Sequence, residues 1–237
     1  LHFDLNQKNT HQGFFEINSE LKKCKSNSEI ELSIANAIWK REGSSFKKDF
    51  LDINKKYYST DLFPLKGAKP INEWAAKNTK NKITEIVTEG DLSDATMVLT
   101  NAIYFKGDWL NSFNEKETQK SMFKTANGKE IETDMMFQVN QVGYFEDENN
   151  QVIDLPYKGE TMSMTIILPK ESNSISKLSA ALSVKLFTTY INRLVKQEVN
   201  IYLPKFSFES KFYLENVLST LGMPDAFDPG KADFTGI

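Results

Sequence analysis

The chain has 237 residues, 40% hydrophobic and 26% charged, enough for one sizeable core and within the range of a single domain. A net charge of −3 lacks the basic footprint of a nucleic-acid binder. No apolar run approaches the ~20 residues of a membrane span, and the single cysteine, Cys24, excludes an internal disulfide.

Thr10 to Cys24 has Phe14, Ile17 and Leu21 at helical spacing, with Gly13 as a weak spot, and reads as a helix. Lys22, Lys23 and Lys25 crowd its end, where cations suit the helix dipole. Glu16, Glu20 and Glu29 dilute that patch, so it reads as a solvated helix end. Ile30 to Lys40, IELSIANAIWK, reads as a strand. Phe46, Phe50, Ile53 and Tyr57 recur at helical spacing and predict a helix over Phe46 to Tyr57, which Ser44 or Ser45 can cap. Thr60 to Leu65 is a short strand ended by Pro64. Lys69 to Lys80 is a second helix, with Pro70 in its first turn and Ile71, Trp74 and Ala75 on its apolar face. Asn81, just beyond, suits a left-handed backbone.

Thr96 to Trp109, TMVLTNAIYFKGDW, reads as a strand that is apolar both ways. Met97, Leu99, Ile103 and Phe105 point to one side, and Val98, Ala102 and Tyr104 to the other. Such a strand is expected in the middle of a sheet with cover on both faces. Asn101 sets an amide among positions that call for burial, where it needs partners or costs ~1–3 kcal/mol. Gly107 breaks the strand and bends the backbone to aim Trp109. The stretch also rhymes with the first strand, Asn36-Ala37-Ile38-Trp39 against Asn101-Ala102-Ile103-Tyr104, as two central strands of one sheet would.

Farther along, Asn127-Gly128 signals a hairpin turn between strands at Ser121 to Thr125 and Ile131 to Met136. Strands at Val142 to Glu146, Val152 to Leu155 and Met162 to Leu168 follow. Ile175 to Val195 reads as two short helices meeting near Ser183. Val199 to Glu209 is a strand whose Pro204 implies an edge or an irregularity. Lys211 to Leu221 is a helix closed by Gly222.

In order, these stretches resemble the serpins, a family built around serine-protease inhibitors. Thr96 to Trp109 resembles the third strand of the large central sheet, and Ile30 to Lys40 the second. Lys69 to Lys80 resembles the helix that crosses that sheet, although the family usually has glycine where Asn81 stands. The spacing of Phe113, Thr118 and Phe123 fits the serpin segment that leaves the main sheet. The blocks Leu155-Pro156-Tyr157, Ser163-Met164, Leu168-Pro169, Leu203-Pro204-Lys205-Phe206 and MPDAFDPGKADFTGI at Met223 to Ile237 match the family pattern.

The resemblance implies an α+β fold with a large central β-sheet, smaller sheets and surrounding helices, in a single domain over 1–237. It implies that the first helices, the fifth main-sheet strand, the reactive loop and the last strands lie outside this sequence. It places Asn101 in the polar cluster called the shutter and Trp109 in the breach, where the sheet opens. The strand at Val199 to Glu209 becomes the sixth main-sheet strand, and Lys205 pairs with an acid at the base of the loop. The implied function is one-use inhibition of a serine or cysteine protease by loop cleavage and insertion. The alternatives are a non-inhibitory carrier or chaperone and a plain protease substrate. The implied protein is a monomer that polymerises if its sheet opens, is extracellular, and has no nucleic-acid or membrane partner. Some serpins bind polyanions on the helix matching Thr10 to Cys24.

Nothing in the sequence points to an enzyme. His2 and His11 sit in or beside a polar segment, and no Gly-x-Ser-x-Gly elbow, His-Glu-x-x-His or P-loop is present. Cys24 has only nearby lysines as activating context and reads as an idle thiol. The acidic run Glu146-Asp147-Glu148 lacks the spacing of a calcium loop. No catalytic, metal or cofactor residue is expected.

Overall fold

A computed structural model of the protein describes residues 5–25, 29–171, 174–210, 212, 214–228 and 230–237. His2, the Lys25 side chain, Lys211 and Pro229 lie outside the described residues. The chain packs as two compact units, one of Leu1–Lys106 with Ser210–Ile237 and one of Gly107–Glu209.

In the first unit the long helix α1 (Gln7–Lys25) precedes β1 (Ile30–Lys40), which has the bounds its sequence suggests. Helix α2 (Lys48–Tyr58) starts without a side-chain cap: Lys47 stands at its N-cap, not Ser44 or Ser45. Ser59 closes it at φ 52°, and β2 (Asp61–Pro64) returns parallel to β1, with Trp39 opposite Phe63. Helix α3 (Ala68–Asn78) carries Pro70 in its first turn, where a missing N–H costs nothing. Asn81 adopts φ 60°, the left-handed backbone expected for it. Strand β3 (Met97–Gly107) completes a three-stranded sheet in the order β2-β1-β3.

The core of this unit lies between the sheet and α3. Ala37 and Trp39 from β1 pack with Ala68 and Ile71 from α3 and with Leu92, and Phe63, Trp74 and Val98 close around them. Trp39 is 3% exposed, lies 4.9 Å from the Phe63 ring and meets Trp74 edge-on at 6.2 Å. Its Nε1–H donates to Thr100 Oγ1 at 2.9 Å, so the one polar atom of the indole is satisfied by the neighbouring strand. Arg41 donates through its guanidinium to the carbonyls of Leu92, Ser93 and Ala95, and its own N–H to Thr96 O. That grip fixes where β3 begins.

The second unit is built on an antiparallel sheet. Strand β4 (Gln119–Lys124) forms a hairpin with β5 (Glu130–Glu146) around Asn127-Gly128, where Gly128 sits at φ 80°. Strands β6 (Asn150–Pro156) and β7 (Ser163–Pro169) follow in the order β4-β5-β6-β7. The short helices α4 (Ile175–Ala181) and α5 (Val184–Arg193) meet at Ser183, whose hydroxyl accepts from Leu186 N–H as the α5 cap. Strand β8 (Val195–Pro204) then pairs with β5 from Met135 to Tyr144.

Two expectations are corrected here. The strands expected at Ile131 to Met136 and Val142 to Glu146 are one strand, because β8 pairs straight across the polar residues between them. The strand expected over Val199 to Glu209 ends at Pro204 and belongs to the sheet of β5, so in this structure it is not a strand of the sheet that holds β3. Pro204, opposite Met135, is the last residue of the strand, and one further ladder bond follows it, from Lys205 N–H to Asp134 O. After it, helix α6 (Glu215–Thr220) ends in a left-handed Gly222 at φ 97°.

Candidate functional site

The three residues singled out in the sequence fall in two places. Asn101 lies on β3 in the first unit, and Trp109 and Lys205 lie in the second.

The expectation that β3 is buried on both faces is overturned. Thr100 and Ala102 are buried, but Leu99 and Ile103 are 63% and 58% exposed, and Asn101 shares their face. On that side α1 and the end of α2 lie over β1, where Asn18, Leu21 and Tyr58 line a small cavity with Ile34 and Asn36. Asn101 is therefore an exposed amide beside a covered strand. Its Nδ2 donates to Asn36 Oδ1 at 2.8 Å and to Ala35 O at 3.3 Å, so it bonds across to β1 without being desolvated.

Asn36 is half-buried and faces both ways. Its Oδ1 accepts from Asn101, and its Nδ2 donates at 2.8 Å to the carbonyl of Tyr58, the last residue of α2. Helix-end carbonyls have no partner within the helix, so Asn36 caps α2 from the sheet. The Tyr58 hydroxyl lies 2.7 Å from His11 Nδ1 on α1, and burial pushes the Tyr58 phenol up. His11 stacks on Tyr57, and its buried Nε2 has no hydrogen-bond partner among the described residues. The rhyme of Asn36 with Asn101 was the sequence's only signal for this cluster. It did not point to Tyr58 or His11.

In the second unit, Trp109 follows the Gly107 break and forms a single antiparallel bridge with Tyr157. Leu110 N–H donates to Pro156 O and Lys158 N–H to Asp108 O, which fastens the segment along the end of β6. The indole stacks on the Tyr157 ring at 4.8 Å and 9°, above a cluster of Val142, Leu155 and Ile201. Burial pushes the Tyr157 phenol up. Lys205 is held by backbone alone: its N–H donates to Asp134 O at 2.8 Å, and its carbonyl accepts from Thr133 Oγ1 at 3.4 Å. Among the described residues its ammonium makes no salt bridge. Trp109 and Lys205 line one cleft of about 450 Å³, with Met136, Met164, Leu203 and Phe206 as its other main walls. The structure thus brings Trp109 and Lys205 to one cleft, which no sequence spacing suggested.

Among the described residues no three His, Cys, Asp or Glu side chains converge to hold a metal ion. Glu146 of the acidic run pairs with Lys170 at 3.0 Å. Asp147 accepts from the N–H groups of Asn149 and Asn150 at 2.8 Å each, the arrangement of a solvated turn.

A family model described as "Serpin (serine protease inhibitor)" matches residues 1–237, and the chain belongs to the serpin family. It is 36% identical over 239 aligned positions to human Serpin B8, covering 96% of this chain and 63% of that protein. It is 34% identical over 251 positions to the leukocyte elastase inhibitor of Xenopus laevis, covering 100% and 66%. An uncharacterized serpin-like protein of Methanosarcina acetivorans is 39% identical over 220 positions, covering 89% and 51%. Among solved structures, emu ovalbumin superposes with a TM-score of 0.86 at 26% identity, over 92% of this chain and 59% of ovalbumin. The chain spans between half and two thirds of the length of these curated relatives.

Proposed function

We propose that the full-length protein is a one-use inhibitor of a serine protease, with 1–237 part of one serpin domain. The observation that carries the reading is the serpin family model matched over residues 1–237, with a relative named as a leukocyte elastase inhibitor. Serpin loop insertion is an established case of strand addition to a sheet. The protease serine oxygen attacks a loop carbonyl, the peptide C–N bond breaks, and the new amine leaves with a proton. The acyl-enzyme ester remains while the loop enters the sheet. A cysteine protease would form a thioester by the same steps. In this reading Asn101 is the shutter asparagine, and Trp109 and Lys205 belong to the breach. The native protein is a monomer that polymerises when the sheet opens.

The full-length protein, incubated with trypsin-, chymotrypsin- and elastase-like enzymes, is expected to give a covalent complex on a denaturing gel with at least one. An elastase-like enzyme belongs in the panel because one relative is named for it. Complete cleavage by every enzyme with no complex overturns the inhibitory reading in favour of a substrate or carrier.

Lys205 yields a second expected result. In our reading its ammonium anchors an acid at the base of the loop. Lys205→Ala in the full-length protein then accepts a synthetic loop-mimicking peptide faster than the parent does, as followed by native gel. Equal uptake rates remove Lys205 from the anchor role.

A further inference from the structure

We propose that Asn36 is a positioning residue that couples the contact between α1 and α2 to β3, through the chain His11–Tyr58–Asn36–Asn101. This coupling goes beyond protease inhibition and does not depend on it.

The chain has a fixed polarity. The Tyr58 carbonyl can only accept, so Asn36 must turn its Nδ2 toward it. That leaves Asn36 Oδ1 facing β3, and Asn101 must present its own Nδ2 there. One helix-end carbonyl therefore sets the orientation of two amides on two strands. The carbonyl is in turn held from the other side, because the ring of the same residue is bonded to His11. Among the described residues His11 has no second polar anchor: with Nε2 unpartnered there, the contact to Tyr58 is the one hydrogen bond of its ring. Ser59 at φ 52° turns the chain sharply after Tyr58, and Lys22 of α1 donates to Ser59 Oγ at 3.0 Å. Helix α1 thus grips α2 on both sides of the carbonyl that orients Asn36. A change in that grip moves the carbonyl, and the Asn36–Asn101 bond moves with it.

The test separates the links of the chain in the full-length protein, read by amide hydrogen exchange at pH 7. Tyr58→Phe removes the hydroxyl bonded to His11 and keeps the carbonyl. Asn36→Asp keeps an acceptor for Asn101 but sets a carboxylate against the Tyr58 carbonyl, at the negative end of a helix. Each substitution is expected to raise exchange at Thr100 to Ile103 about 3- to 10-fold, the effect of one lost hydrogen bond, and to leave Ile71 to Ala75 in α3 unchanged. Placed in an Asn101→Ala background, each is expected to add less than about 2-fold, because the chain is already cut. Unchanged exchange in β3, or the full effect repeated in the Asn101→Ala background, overturns the coupling and leaves Asn36 as a cap for α2 alone. Protease complexes are not read in this experiment, so its failure is distinct from failure of the inhibitory function.

Discussion

Trp39→Ala is expected to destabilise the full-length protein by about 3–5 kcal/mol, the range for truncating a buried aromatic. Whole domains hold only about 5–15 kcal/mol, so this single change removes a large share. The indole is 3% exposed, packs on Phe63 and Trp74, and donates to Thr100 across the sheet. Its loss empties the space between the sheet and α3 and unties β1 from β3 together. Trp39→Phe is the informative partner. It keeps a ring against Phe63 and forfeits the N–H, at a cost of about 1 kcal/mol, since the Thr100 hydroxyl also lies 3.5 Å from Ala37 O. Urea unfolding followed by far-UV circular dichroism checks both. If the two variants share one midpoint, packing of the indole is not what holds this sheet to α3.

Trp109→Ala is expected to cost less than Trp39→Ala, about 2–3 kcal/mol, because the indole is half-buried, with the loss confined to the second unit. Trp109 stacks on Tyr157 in near-parallel rings at 4.8 Å, a geometry worth about 0.5–1.5 kcal/mol beyond the area it buries. Removing it joins the space of the indole to the cleft beside Lys205. The variant is expected to melt earlier and to polymerise faster on native gels, while Trp109→Phe keeps a stack and falls between. Parent-like melting and no added polymer in Trp109→Ala would show that the stack neither supports the unit nor restrains opening.

Much of this fold was legible because its elements are strongly patterned. Strand β1 has the bounds its residues suggested, and the break at Ser183 followed from a serine placed to cap α5. What stayed hidden depends on neighbours distant in the chain. Gln138, Asn140 and Gln141 looked like an interruption, yet β8 pairs with each of them and the strand runs through. Alternation in β3 showed that both faces are apolar but not which of them a helix covers, so Asn101 was expected in a core and lies in the open. The shared cleft of Trp109 and Lys205 arises because the pairing of β8 with β5 carries Lys205 to Asp134. Tyr58 enters the site through its carbonyl, and a backbone atom leaves no trace in residue identity.

Strand β5 imposes a restriction on how the family's chain length can drift in this unit. Met135 pairs with Gln119 and with Pro204, and Gly143 pairs with Asp154 and with Lys196. Side chains alternate with a period of two, so adding or deleting one residue between those points turns every later side chain to the opposite face. The error would be read by β8 along its whole length and by β6 beyond it. Length changes therefore belong in the loops at either end, at Asn127-Gly128 and at the exposed Glu148, outside the paired strands. Glu130–Glu146 acts as a ruler whose divisions are fixed from both sides.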